Sequence, residues 1–225
     1  FQDRFYVVHN FFDFEKVEKL IKSIKPNVII NCIGIIKQKN NDNLDSYRFI
    51  NSELPKTLND LANKFCFKLI HFSTDCVFKG DTGFYNEKSK PDAEDSYGRS
   101  KYLGEVSGPN TLTLRTSIIG HELNSSYSLL EWFLGEKSEI VNGYSNAIFS
   151  GLPTVFISEV LHKYVLGNDL NGLYNLAVKP IDKFSLLNKI SKRYKKEIVI
   201  KKDIDFKINR SLNCEKFIKE TGYNY

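Results

Sequence analysis

The chain has 225 residues, of which 41% are hydrophobic and 26% are charged, and its net charge is +5. These values are typical of a globular protein that buries a sizeable core, organised as one large domain or as one domain with a smaller lobe. The modest charge, without interleaved aromatic and basic residues, argues against nucleic acid as a partner, and no apolar run is long enough to span a membrane.

The cysteines and histidines narrow the class of protein further. None of the four cysteines forms a CxxC pair, which predicts reduced, half-buried thiols in a cytoplasmic protein. The four histidines are scattered and predict no metal site. Because the chain lacks methionine and begins abruptly in what looks like the middle of a fold, we expect it to be an internal piece of a longer protein.

Short apolar runs alternate with helical patterns along the chain. Asp13 is the predicted N-cap of the first helix, and the near-continuous β-branched run at 27–35 is typical of a parallel strand buried on both faces. In chain order, the predicted strands are 5–9, 27–35, 67–74, 111–119, 172–178 and 197–202. The predicted helices are 14–24, 54–65, 96–107, 126–135 and 183–194.

This alternation predicts an α/β fold with a doubly wound parallel sheet. We expect a core domain over residues 1–120 and a mixed, smaller lobe over 121–225, with 172–178 returning a strand to the core sheet. In such folds ligands bind at the carboxyl ends of the strands, so the residues that follow each strand are the candidates for function.

Polar residues stand at the ends of two predicted strands. Asn31 and Gly34 lie at the end of one strand, and Ser73, Thr74 and Asp75 end the next. Both ends face the expected ligand crevice.

The helix after the second of these strands carries Tyr97 and Lys101, which lie four residues apart and so share one helical face. A phenol has a pKa of about 10, and a nearby ammonium group lowers it. With the Thr74 hydroxyl holding a carbonyl oxygen next to Tyr97, the three side chains would form an acid–base site suited to ketone reduction or alcohol oxidation. The spacing of Tyr97 and Lys101 is common by itself; its position after the buried strand makes the prediction specific.

Several segments together resemble the extended short-chain dehydrogenase/reductases, and among them the dTDP-4-dehydrorhamnose reductase-like, sugar-nucleotide-binding branch. They are PNVIINCIGI, INSELPKTLNDLA, HFSTDCVF, DSYGRSKYLGE, TLRTSIIG and SGLPT. The resemblance covers essentially the whole chain. It implies a Rossmann-like NAD(P)-binding sheet with a small C-terminal substrate-binding lobe, NADPH or NADH as cofactor and a nucleotide-sugar as substrate. It leaves a homodimer open.

The resemblance also implies roles for single residues. Tyr97 corresponds to the general acid, Lys101 to the lysine that binds the nicotinamide ribose and lowers the tyrosine pKa, and Thr74 to the catalytic serine or threonine. The cofactor-binding positions that it implies are Asn31, Cys32, Gly34, Asn51, Tyr97 and Lys101. The substrate-binding positions are Ser73, Asp75 and Thr154.

Three residues in these segments also have structural interpretations. A helix N-cap is an equal alternative for Asn51. A turn set by Pro153 would explain Thr154, and Arg115 after its strand is more often structural than ligand-binding.

The chain also departs from the family pattern. The glycine-rich turn that grips the cofactor pyrophosphate would precede residue 1, so the choice between NADH and NADPH stays open. Asn10 replaces a frequent adenine-contacting aspartate, Ile118 an aromatic, and Ile148 with Phe149 a polar pair. The changes that affect the substrate lobe suggest a different sugar nucleotide from that of the rhamnose-pathway reductases. At the C-terminal end, the family pattern leads us to expect a further segment after residue 225.

We therefore expect an NAD(P)H-dependent reductase of a nucleotide-activated 4-keto-6-deoxysugar in polysaccharide or other cell-surface sugar biosynthesis. A sugar-nucleotide epimerase or dehydratase is the first alternative, disfavoured because no glutamate stands beside Asp75. A non-catalytic regulatory subunit that binds a sugar nucleotide or NAD(P) is the second. The presence of Thr74, Tyr97 and Lys101 together argues against it.

Overall fold

The computed structural model describes residues 13–36, 44–123 and 125–225. The predicted strand at 5–9 and Asn10 lie outside the described residues. The strands are β1 (Val28–Asn31), β2 (Lys68–Thr74), β3 (Thr111–Thr116), β4 (Ile118–Ile119), β5 (Ile140–Phe149), β6 (Leu152–Pro153), β7 (Gly172–Asn175), β8 (Ile181–Asp182) and β9 (Val199–Asn209). The α-helices are α1 (Phe14–Ile24), α2 (Leu44–Ser46), α3 (Leu54–Phe65), α4 (Ser96–Leu103), α5 (Leu129–Gly135), α6 (Thr154–Val160), α7 (Lys183–Tyr194) and α8 (Glu215–Thr221).

The main sheet has four parallel strands in the order β1-β2-β3-β7. Neighbouring residues of β2 pack in different apolar clusters, because successive side chains of a strand point to opposite faces of the sheet. Leu69 joins the cluster formed with α1 and α3, whereas Ile70 joins the cluster formed with α6 and α8. Helices therefore cover both faces of the sheet, and the predicted α/β doubly wound class is confirmed.

Three predicted helices have the observed bounds, namely α1, α3 and α7. Asp13 caps α1 as expected, since its carboxylate accepts a hydrogen bond from the Lys16 backbone N–H at 3.1 Å. The helix α3 continues a π-helical segment, Tyr47–Glu53, that the sequence pattern did not predict. The helix α4 ends at Leu103 rather than at residue 107.

The strand β1 is shorter and less buried than predicted. It ends at Asn31, because the Asn31 side-chain oxygen accepts a hydrogen bond from the Ile33 backbone N–H and turns the chain. The prediction that it is buried on both faces is wrong: Val28 is 37% exposed and Ile30 is 41% exposed.

Beyond β3 the chain leaves the main sheet. The predicted strand at 111–119 divides at Ser117, and β4 pairs with β6 instead. The long strands β5 and β9 pair in parallel, with β8 on the other edge of β5. We call the β5 and β9 pair the ribbon. Its β5 strand was not predicted, and β9 extends beyond the predicted 197–202.

The described residues cover one face of the ribbon. Val141 packs with Leu187 and Ile190 of α7 in a small apolar core. The other face carries exposed apolar side chains, among them Ile140 and Val199. The segment Gly172–Asn175 lies in the main sheet beside β3. The division of the chain at residue 120 stays a prediction.

The cysteines differ in part from expectation. All four are free, but Cys32 and Cys66 are exposed, while Cys214 is buried. Among the described residues, no helix is both long and apolar enough to cross a lipid bilayer.

Candidate active site

Thr74 and Tyr97 meet at the carboxyl end of β2. Thr74 is the last residue of that strand, and Tyr97 lies in the first turn of α4. Asp95 caps the N-terminus of α4, because its carboxylate accepts a hydrogen bond from the Gly98 N–H at 2.8 Å. The Thr74 side chain lies close enough to the Tyr97 hydroxyl group to affect its pKa. The Thr74 hydroxyl also donates to the Asp75 carboxylate at 3.2 Å. The structure thus brings together Thr74, Asp75 and Tyr97.

Lys101 lies buried one turn further along α4, with 6% of its surface exposed. Its ammonium group donates to the Phe72 carbonyl at 2.6 Å. Burial lowers the pKa of Lys101 to about 8, and the Glu105 charge opposes this shift. A Cβ atom at Gly34 would lie 3.9 Å from the Lys101 Nζ atom, so the ammonium group lies beside the backbone that follows β1.

The pKa of Tyr97 differs from the predicted direction. Burial raises it, the Cys76 and Asp75 charges add to the rise, and the nearby Thr74 side chain opposes it. The expected lowering by Lys101 does not occur, because the desolvation of the phenol dominates. Tyr97 is therefore a protonated phenol at neutral pH, which is the form that can donate a proton.

Two glycines of the DSYGRSKYLGE segment permit the close packing of α4. A Cβ atom at Gly98 would lie 2.3 Å from the Cys76 carbonyl oxygen, and one at Gly104 would lie 1.8 Å from the Asn51 carbonyl oxygen. Any side chain at either position would force the backbones apart. These glycines fix how closely Tyr97 and Lys101 approach β2 and the π-helical segment.

Asn51 joins the loop after β1 to α4. Its side chain accepts from the Ile35 N–H at 2.9 Å and donates to the Ile35 carbonyl at 3.0 Å and the Ser100 hydroxyl at 3.1 Å. The alternative that Asn51 is a helix N-cap is wrong, because it lies inside the π-helical segment. Its side chain instead holds the loop backbone.

Asn31 and Cys32 differ in their surroundings although they are adjacent. The Asn31 side chain is buried and lies 3.0 Å from His71, measured from Nδ2 to Nδ1. Cys32 and Gly34 are exposed. The backbone from Cys32 to Gly34 is therefore open to a ligand, while Asn31 holds it from behind.

Ser73 lies apart from the Thr74 and Tyr97 hydroxyl groups. Its hydroxyl donates to Glu105 at 2.7 Å, and Glu105 forms a two-bonded ion pair with Arg115, both contacts at 2.7 Å. The side chains of Arg115 and Glu105 are 2% and 8% exposed. The structural interpretation of Arg115 agrees with this pair. The role of Glu105 was missed, although it ends the quoted motif.

Asp75 is buried, and two positively charged side chains that the sequence did not indicate act on its carboxylate. Burial raises the pKa of Asp75, and the charges of Arg210 and Lys183 oppose the rise. The Arg210 side chain donates to the Phe78 carbonyl at 2.9 Å. No local pattern could have found Lys183 or Arg210, because they lie more than 100 residues along the chain from Asp75.

Thr154 begins α6 and is exposed. Its hydroxyl is 3.5 Å from the Ile119 carbonyl, and a Cβ atom at Gly120 would lie 2.4 Å from it. These contacts place Thr154 against the segment that follows β4, and they do not join it to Tyr97.

Comparison with known proteins identifies the family. The model of the RmlD substrate binding domain matches residues 7–133. The chain belongs to this family. The resemblance noted in the sequence is confirmed.

Individual relatives agree with the family. The chain is 33% identical over 113 residues to the probable low-salt glycan biosynthesis reductase Agl14 of Haloferax volcanii, a match that covers 48% of this chain and 38% of that protein. The match thus spans well under half the length of this curated relative.

Two solved structures share the fold. A hypothetical dTDP-4-dehydrorhamnose reductase from Sulfolobus tokodaii has a TM-score of 0.84 at 21% identity, covering 100% of this chain and 85% of that one. The dTDP-4-dehydrorhamnose reductase of Bacillus anthracis, solved in complex with NADP, has a TM-score of 0.78 at 22% identity, covering 90% and 76%.

Proposed function

We propose that this chain is part of an NAD(P)H-dependent reductase that acts on the keto group of a nucleotide-activated 4-keto-6-deoxysugar in the biosynthesis of a cell-surface glycan. The observation that carries the proposal is the proximity of Thr74 and Tyr97 at the carboxyl end of β2, with Lys101 one turn along the same helix. The membership of the RmlD substrate binding domain family and the reductase names of the relatives support it.

Each of the three side chains has a role that its surroundings suit. Tyr97, held protonated by burial, donates a proton to the carbonyl oxygen of the sugar as that oxygen becomes an alcohol. The Thr74 hydroxyl accepts from the Cys76 N–H and donates its one proton to Asp75; turning that proton to the same oxygen lets it hold the oxygen in place. The Lys101 ammonium group does not lower the Tyr97 pKa, and its role is to bind the cofactor.

The residues near Gly34 fit a nicotinamide cofactor, which supplies the hydride when bound. An ammonium group has three donors, and the Phe72 carbonyl takes one of those of Lys101. The others can bind ribose hydroxyl groups beside the open backbone at Gly34. Asn51 holds the same loop by its two bonds to Ile35.

Simple reduction fits the site better than dehydration, which usually needs an additional acid and base near the threonine. The residue after Asp75 is Cys76, and burial raises the pKa of its thiol to about 12. Cys76 therefore stays neutral at physiological pH and is a poor base. Asp75 itself lies in contact with Thr74, where it orients that hydroxyl.

The experiment that tests the function is turnover by the full-length protein. We expect oxidation of NADPH or NADH only when a 4-keto-6-deoxysugar nucleotide is added, with dTDP- and UDP-linked sugars compared side by side. Tyr97→Phe should lower kcat by roughly 10²- to 10⁴-fold while the cofactor still binds.

The matched control is Tyr102→Phe, which removes a hydroxyl from a tyrosine on the exposed face of the same helix, 45% exposed. It should keep full turnover. Cofactor oxidation that survives Tyr97→Phe, or a sugar product that forms without net oxidation of the cofactor, would contradict the proposal. The second result would instead favour an epimerase or dehydratase.

A further inference from the structure

A buried polar pair lies directly behind the loop proposed to contact the cofactor. Asn31 and His71 are register partners on β1 and β2, 3% and 0% exposed. The Asn31 Nδ2 atom lies 3.0 Å from the His71 Nδ1 atom. Burying two such groups is costly unless they are hydrogen-bonded to each other or to other partners, so their contact defines their orientation.

The contacts fix which ring nitrogen of His71 carries the proton. The Asn31 side-chain oxygen accepts from the Ile33 N–H at 3.1 Å, so the amide nitrogen must point toward His71. An amide nitrogen only donates, so the His71 Nδ1 atom must accept. The ring proton is therefore on Nε2, and protonating Nδ1 as well would bring two donors together.

The surroundings also favour the neutral ring. Burial and the nearby Lys101 ammonium group lower the pKa of His71 well below its ordinary value. The register neighbour on β3 is Thr113, whose hydroxyl is uncharged and donates to the Val106 carbonyl. Within the described ranges, the His71 Nε2 atom is buried and has no hydrogen-bond partner. Because the His71 ring stays neutral, no second positive charge lies beside Lys101.

We propose that His71 is a positioning residue which, as a neutral imidazole with its proton on Nε2, holds Asn31 and through it the Cys32–Gly34 backbone in place for the nicotinamide cofactor. This inference rests on the proposed function. The next residue of β2 acts in parallel, since the Phe72 carbonyl holds Lys101. One strand thus sets both the loop and the ammonium group that face the cofactor.

The tautomer can be tested without any activity. Nitrogen-15 NMR of the full-length protein, with the His71 signal assigned by its loss in His71→Asn, should show an Nε2–H tautomer that does not titrate between about pH 5 and 8, around the ordinary histidine pKa. A ring that titrates in this range, or that carries its proton on Nδ1, overturns the proposal whatever the enzyme's substrate is.

The positioning role is tested with two variants. His71→Leu removes the acceptor, whereas His71→Asn keeps an oxygen close to the position of Nδ1. We expect His71→Leu to weaken NADPH or NADH binding about tenfold, because the buried Asn31 donor loses its partner, with kcat unchanged at saturating cofactor. His71→Asn should restore most of this affinity.

Cofactor affinity, measured by fluorescence titration, keeps this test separate from the proposed reaction. If no keto-sugar is reduced but cofactor binding follows the Leu and Asn pattern, only the proposed reaction fails. If both variants lose the same affinity, or if the loss lies in kcat alone, His71 has only a packing role and the inference is wrong.

Discussion

The strand-end site and the ribbon are opposites in what they bury. At the site, polar side chains are inside: Asn51 and His71 are 0% exposed and Lys101 is 6% exposed. On the open face of the ribbon, apolar side chains are outside: Val199 is 60% exposed and Phe206 is 50% exposed.

This contrast separates positions where the arrangement of the fold depends on the residue from positions where many residues would be accepted. Buried polar groups are costly unless they are hydrogen-bonded, so a network such as that of Ser73, Glu105 and Arg115 specifies one arrangement. Scattered exposed apolar residues are ordinary on protein surfaces and specify little. Substitutions should therefore matter far more at the site than on the open face of the ribbon.

The largest effect on stability is expected from the buried ion pair. Arg115→Met leaves the Glu105 carboxylate buried without its cation, which should cost about 3–5 kcal/mol of unfolding free energy in urea titrations. The control is Lys64→Met, which breaks the exposed pair with Glu18, where the side chains are 59% and 37% exposed. It should cost at most about 1 kcal/mol. If both variants lost the same unfolding free energy, the buried ion pair would be no more important than the exposed one.

The cost of burying the Lys101 charge should appear as a pH dependence of the unfolding free energy. Its pKa is lowered from 10.5 to about 8 in the folded protein, so between these values the unfolded chain binds more protons and stability rises with pH. Relative to Lys101→Met, the wild type should gain up to about 3 kcal/mol from pH 8 to pH 10.5. The variant should also lose turnover.

Thermal unfolding across this pH range, with the exposed Lys56→Met as control, measures the effect. A difference between wild type and Lys101→Met that stays constant with pH would show that Lys101 is not desolvated.

The close approach of α4 predicts an intermediate effect. Gly104→Ala would place a Cβ atom 1.8 Å from the Asn51 carbonyl oxygen, and the resulting backbone shift should cost about 1–3 kcal/mol. Gly135→Ala at the end of α5 meets no atom within 4 Å and should be neutral or slightly stabilising. Thermal unfolding of both variants compares them directly, and an unaffected Gly104→Ala would refute the tight packing.

The smallest effect is expected on the open face of the ribbon. Val199→Thr should change the unfolding free energy by less than about 0.5 kcal/mol, because the side chain is exposed. The same substitution at Val141, on the face covered by α7 and 7% exposed, should cost about 1–3 kcal/mol through a buried hydroxyl. A large loss at Val199 in urea unfolding would mean that this face is covered in solution.

The predicted elements were most accurate where local signals were strong. The helices α1 and α7 begin after Asp13 and Asp182, whose carboxylates cap them, and their bounds follow from the sequence. The strand β5 was missed because its partner β9 lies some sixty residues further on, and the alternation of IVNGYSNAIF is too irregular to predict a strand by itself.

The sequence by itself determined the alternating strands and helices, the polar strand ends and the Tyr97 and Lys101 pair, because spacing and periodicity are local properties. Only the tertiary structure decided the protonation of these groups and their partners. Burial, not proximity to Lys101, sets the pKa of Tyr97. Likewise, Glu105 meets Arg115 and Asn31 meets His71 only because parallel strands and α4 bring distant segments together, and desolvation depends on that assembled environment.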